Sequence, residues 1–173
     1  YGLPFFIHDS SRRAHAGIKH HNIFRWQRKL LFRFPRHALW NMAGRGLILD
    51  HELLIPAQKY APLNDLLLPL GRLDDVAGTR WDFRIARTIR EDYDNAFLLD
   101  GKRGELKRAL KLRDPASGRT LDVWGTEPAV QMYTAIHWSP DIVGHHGPLQ
   151  RSTALAIEPQ NVADAPNHPA FPS

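Results

Sequence analysis

Glu158 is the carboxylate best placed for chemistry in this sequence. It closes the apolar run Ala154-Leu-Ala-Ile-Glu158, and Pro159 follows at once. Strand ends that feed rigid loops are where proteins carry reactive groups, and the chain beyond is stiffened by Pro166, Pro169 and Pro172. Pro159 cannot donate to a sheet ladder, so the strand is expected to stop there. Alternation sends Leu155 and Ile157 to one face and Ala154, Ala156 and Glu158 to the other. Two alanines beside a carboxylate leave room for a ligand. On spacing alone the plainer reading is a solvated glutamate at a strand end. Asp94 is a second carboxylate, and two carboxylates flanking a sugar are the working parts of a glycosidase. Gln131 offers both a donor and an acceptor, which a hydroxyl can use, or it is an ordinary exposed strand residue. His37 titrates near 6.5 when unperturbed and can carry a proton at neutral pH. Set between Pro-Arg and an apolar run, it reads on its own as a structural histidine.

Other chemistries find less support. His20-His21 and His145-His146 resemble metal pairs, but neighbours on a strand point to opposite faces and chelate poorly. There is no cysteine, hence no disulfide framework, thiolate metal site or cysteine nucleophile. No GxSxG or P-loop pattern occurs.

The elements that must position these residues read as strands and turns. Val130, Met132, Thr134 and Ile136 alternate with Gln131, Tyr133, Ala135 and His137, a period of two that predicts one continuous strand. Leu110 and Leu112 precede Asp114-Pro-Ala-Ser-Gly118, and Leu121 and Val123 follow it. Pro115 presets φ and Gly118 accepts a positive φ, so this segment predicts a β-hairpin. Thirteen prolines at element edges argue against long helices. The expected class is all-β, without internal repeats.

The 173 residues suffice for one domain with a core. Hydrophobic content of 43% and a mean hydropathy of −0.40 are ordinary for a globular protein. No apolar run reaches the roughly 18 residues of a membrane span, so no membrane partner is expected. The compartment expected is the cytoplasm, with the periplasm left open, because the lack of cysteine suits both. The net charge of +5 is unevenly spread. Residues 1–36 carry eight Lys/Arg and one acid, whereas residues 37–173 carry 15 Lys/Arg and 17 Asp/Glu. Aromatics lie within the basic head, but no nucleic-acid motif accompanies them, and clustered charge is usually a solvated face. No nucleic-acid partner is expected, and the sequence leaves the oligomeric state unassigned.

The C-terminal run Glu158-Pro-Gln-x-x-x-Asp-Ala-Pro-Asn-His-Pro-x-Phe-Pro-Ser173 resembles the signature of the aldose 1-epimerases, the galactose mutarotases. His37-Ala-Leu-Trp-Asn-Met-Ala-Gly44 is similar to the family's His-x-Tyr-Phe/Trp-Asn-Leu-x-Gly segment. Leu49-Asp-His-Glu-Leu53, Tyr60-Ala-Pro-Leu-Asn64, Val76-Ala-Gly-Thr-Arg-Trp-Asp-Phe-Arg84 and Tyr93-Asp-Asn-Ala-Phe-Leu-Leu99 follow in family order. Asp114-Pro-Ala-Ser-Gly-Arg119 and Thr126-Glu-Pro-Ala-Val-Gln-Met-Tyr-Thr134 complete the series. The resemblance covers residues 37–173, a partial mutarotase domain. Residues 1–36 form a non-matching basic head, read as sequence foreign to the family, and no strand that would complete a sandwich is expected from them.

The resemblance implies a large antiparallel β-sandwich, the galactose mutarotase-like supersandwich, of which this chain holds part. It implies interconversion of the α and β anomers of aldohexoses such as glucose and galactose, with a sugar as the small-molecule partner. Such chemistry needs a base at the C1 hydroxyl and an acid at the ring oxygen, and no nucleophile, metal or cofactor. By resemblance Glu158 is the general base and His37 the acid, while Asp94 and Gln131 bind the sugar. Asn95 stands where many relatives carry histidine, so acid–base work is not expected there. The family's second histidine and its arginine, in the N-terminal half, have no counterpart among His8, His15, His20 and His21. A non-catalytic carbohydrate-binding module and an inactive fragment are the alternatives.

Overall fold

The computed structural model describes residues 6–9, 38–41, 46–144 and 147–172, with backbone alone for 6–9 and 38–40. His37, His20, His21, His145, His146 and most of the basic head lie outside the described residues.

Two antiparallel sheets and a small ribbon account for the strands. The first sheet contains β1 (Phe6–Asp9), β3 (Glu52–Leu54), β6 (Arg87–Thr88), β8 (Lys107–Arg113) and β9 (Thr120–Gly125), in the order β1-β9-β8-β3-β6. The second contains β2 (Ala38–Trp40), β4 (Ala57–Tyr60), β5 (Asp74–Asp75), β7 (Asp94–Leu99), β10 (Ala129–Tyr133) and β13 (Leu155–Gln160), in the order β2-β13-β10-β7-β4-β5. The ribbon pairs β11 (Val143–Gly144) with β12 (Gly147–Pro148).

The core lies between the two large sheets. Leu53, Leu110, Leu112, Leu121 and Val123 of the first sheet cluster with Phe97, Leu99, Val130, Met132, Leu155 and Ile157 of the second. Period-two alternation places these residues on the inner faces, as in a sheet-on-sheet sandwich. Phe83 meets Tyr93 and Phe97 edge-on, with ring centroids 5.2 and 6.2 Å apart.

The hairpin expected around Asp114 is present. Leu112 faces Leu121 and Leu110 faces Val123. Asp114 accepts from the backbone N–H groups of Ala116 and Ser117, and Gly118 sits at φ +73°, the left-handed geometry that the sequence calls for.

Three expectations need correction. β13 does not stop before Pro159: it continues to Gln160, with Pro159 opposite Val130. Among the described residues β2 flanks β13 along Leu155–Ile157 and Pro159 has only β10 beside it, a setting in which a proline is tolerated. β10 is shorter than its alternation suggests. It ends at Tyr133, and Ala135 at φ +56° turns the chain away. Third, the head does supply a strand, since Phe6–Asp9 pairs antiparallel with β9 along the outer edge of the first sheet. An open strand edge accepts any extended backbone, whatever its side chains.

Candidate active site

The outer face of the second sheet carries the site. On β7 the residues Asn95, Phe97 and Leu99 turn inward, which leaves Asp94 and Ala96 outward. On β10 Val130 and Met132 fill the core, leaving Gln131 and Tyr133 outward. On β13 Leu155 and Ile157 fill the core, and Glu158 lies on the face opposite Ile157. The register then lines up Ala96, Gln131 and Glu158 across three adjacent strands, with Asp94 and Tyr133 in the next row.

These residues open on one cavity of about 360 Å³. Asp94, Gln131, Glu158 and Gln160 form its polar floor, Tyr133 and His137 one rim, and Leu63, Leu67 and Pro69 an apolar wall. Ala154 and Ala156 are buried and do not line it. The small residue that leaves room is Ala96, opposite Gln131.

Gln131 donates from Nε2 to Asp94 Oδ1 at 2.7 Å, and Gln160 Nε2 lies 3.5 Å from Glu158 Oε2. Burial pushes the Asp94 carboxyl above the usual carboxylate range, and the Glu158 charge adds to the rise. The hydrogen bond from Gln131 and the nearby His137 act against it. Removing a carboxylate from water disfavours its charged form, and a polar ligand in the cavity would replace some of that lost hydration.

Asn95 does not face this cavity. It is buried and accepts from Trp81 Nε1 at 2.9 Å, while Trp81 stacks on Tyr60 with ring centroids 4.2 Å apart. It ties Trp81 into the inner layer beneath the site.

Two further groups line the rim. Tyr133 accepts a hydrogen bond at its phenolic oxygen from the His137 backbone N–H, at 3.0 Å, and the two rings stack at 6.0 Å. Tyr133 was legible by alternation, two residues from Gln131, whereas Gln160 was not, because the strand was expected to stop at Pro159. His137 falls in the same alternating series as Gln131, yet it reaches the rim beyond the turn at Ala135 and not as part of the strand.

The family model for aldose 1-epimerase matches residues 15–173. The chain belongs to the aldose 1-epimerase family. The match starts ahead of His37, where the motifs begin. The galactose mutarotase of Mus musculus is 36% identical over 147 residues, which are 79% of this chain and 43% of the mouse protein. The aldose 1-epimerase of Escherichia coli (strain K12) is 31% identical over 149 residues, again 79% of this chain and 43% of its own length. A crystal structure of an aldose epimerase homologue from C. elegans superposes with a TM-score of 0.68 at 26% identity, covering 79% of this chain and 44% of that one. The chain therefore spans less than half the length of the curated relatives it matches, and its β-sandwich is that of the aldose epimerases. Among the described residues, no helix is long and apolar enough to cross a membrane.

Proposed function

We propose that the protein to which this chain belongs is an aldose 1-epimerase, interconverting the α and β anomers of aldohexoses by acid–base ring opening. The observation that carries this reading is the convergence of Asp94, Gln131 and Glu158, from three strands, on a single cavity. That cavity belongs to a chain of the aldose 1-epimerase family.

Glu158 takes the proton from the C1 hydroxyl as the C1–O5 bond breaks and C1=O1 forms. The ring oxygen receives a proton from an acid on the other side of the sugar, the role assigned to His37. Rotation about C1–C2 presents the other face of the aldehyde. The roles then reverse: O5 gives up its proton, attacks C1, and O1 regains a proton from Glu158. Asp94 accepts from two vicinal hydroxyls, and Gln131, already bonded to Asp94, holds that carboxylate in place. A positioned acid or base of this kind contributes roughly 10²–10⁴-fold in rate.

The test is polarimetry of freshly dissolved α-D-glucose and α-D-galactose, using the chain as it stands and the chain extended by the N-terminal part of a relative. The extended protein is expected to speed mutarotation, and the short chain to be weak or inactive. Near-normal turnover in the extended Glu158→Gln variant would remove Glu158 from the role of base.

A further inference from the structure

Asp92 stands two residues ahead of Asp94 and outside the cavity, yet it ties together the three strands that carry the site. Its Oδ1 accepts from the hydroxyls of Thr134, at 3.0 Å, and Ser152, at 2.5 Å. Its Oδ2 accepts from Nε and Nη2 of Arg151, at 3.0 and 2.7 Å. Thr134 follows the last residue of β10, and Ser152 precedes β13. Antiparallel pairing brings these two points and the start of β7 to one end of the sheet. The Asp92 side chain is only 19% exposed there. Burial opposes its charge, but the hydrogen bonds from Ser152, Arg151 and Thr134 outweigh burial and hold the carboxyl below the usual carboxylate range.

The backbone around this carboxylate is costly. Ala135 and Ser152 take φ +56° and +57°, left-handed values that residues other than glycine rarely adopt. The Ser152 N–H donates to Ala135 O at 3.2 Å, and the Thr134 N–H donates to Tyr93 O at 3.0 Å, so the two turns are locked to each other. Such backbone persists where its surroundings over-determine it, and it gathers at functional sites. What the turn at Ala135 delivers is the rim of the cavity. It carries the chain from Tyr133 to His137, whose imidazole acts against the rise of the Asp94 carboxyl. We propose that Asp92 is a positioning residue of the site, which through Thr134 and Ser152 fixes the turn that sets His137 against Asp94. Its bearing on sugar binding rests on the function proposed above.

The experiment compares Asp92→Ala with Asp92→Asn in the whole chain. Asparagine removes the charge, but its side-chain oxygen still accepts from both hydroxyls. Alanine removes charge and acceptor together. The readouts are the pH titration of the Asp94 carboxyl carbon by carbon-13 NMR, assigned with Asp94→Asn, and the affinity for D-galactose by calorimetry. In Asp92→Ala the released turn takes His137 away, so Asp94 should titrate at higher pH than in Asp92→Asn. Galactose should bind that variant roughly tenfold more weakly, the worth of one hydrogen bond to a charged group, and should bind Asp92→Asn nearly as it binds the native chain. Ser152→Ala removes one of the two hydroxyl bonds and should move both readouts the same way by less. It decides the matter where Asp92→Ala does not fold, and an Asp94 titration unchanged from native then overturns the proposal. An Asp94 titration that is the same in Asp92→Ala and Asp92→Asn reduces Asp92 to a charge and overturns it too, as do equal affinities in a chain that binds galactose. If the native chain binds no galactose, the function proposed above falls, while the Asp94 titration still decides whether Asp92 sets the turn.

Discussion

In the proposed mechanism Glu158 does the chemistry and Asp94 the binding, each through a single side chain. Glu158→Gln keeps a hydrogen-bonding group but removes the basic oxygen. In the active extended protein kcat should fall roughly 10²–10⁴-fold with little change in sugar affinity, measured by polarimetry and by titration. Asp94→Asn should act mainly on KM, because its proposed task is to hold hydroxyls. Burial raises the Asp94 carboxyl, so its ionised form at neutral pH works against the folded state. The same substitution should therefore raise the melting temperature at pH 7 while it weakens binding. Which residues were legible follows from backbone geometry. Gln131 and Glu158 sit at strand positions whose inward neighbours are apolar, so alternation places them on the outer face. Leu67 escapes it because its place depends on its own positive φ, and His137, though in the series of Gln131, reaches the rim only through the positive φ of Ala135. Leucine and alanine give no hint of such a turn, as glycine would have done at Gly118.

Two loops, one after β4 and one after β13, form the walls of the cavity, and they meet away from it. Gly71 at φ +74° lies so close to His168 that an added Cβ would stand 2.7 Å from its Nδ1. His168 is in turn fixed by Asp164, at 3.1 Å, and by edge-on contact with Phe171, at 5.1 Å between ring centroids. Gly71→Ala would both strain the backbone and push His168 aside. A loss on the order of 1–3 kcal/mol is expected, read by denaturant unfolding, together with weaker sugar binding as Leu63 and Val162 shift apart. The closing prolines and the Asp-Ala-Pro-Asn-His run mark this second wall in the sequence as rigid. Nothing in the sequence shows that it leans on a glycine nearly a hundred residues earlier, since such a contact belongs to the packing of loops and not to periodicity. The hairpin around Asp114, by contrast, was legible in full, because its turn chemistry is local.

For the molecule as a whole, acid should destabilise the fold in stages. His51 is buried, and burial lowers its pKa from 6.5 despite the charge of Asp114. Its contribution is fully present above the unfolded value and lost as pH falls through the folded one. Asp82, bonded to Arg84, is held at about 2; its contribution is present above 3.8 and lost as pH falls from there toward about 2. Melting temperatures should therefore decline below about pH 6.5, and His51→Gln should flatten the first part of that decline. The row of Ala96, Gln131 and Glu158 across three strands has a consequence for how the protein could fail. Core and cavity are the odd and even positions of the same strands. If β10 slipped by one residue, Val130 would face the cavity and Gln131 would be driven into the hydrocarbon interior. A conformer slipped in this way cannot keep a sound core and a broken site. One-residue slips therefore leave no well-folded but miswired copies, because the same shift that breaks the site also breaks the core.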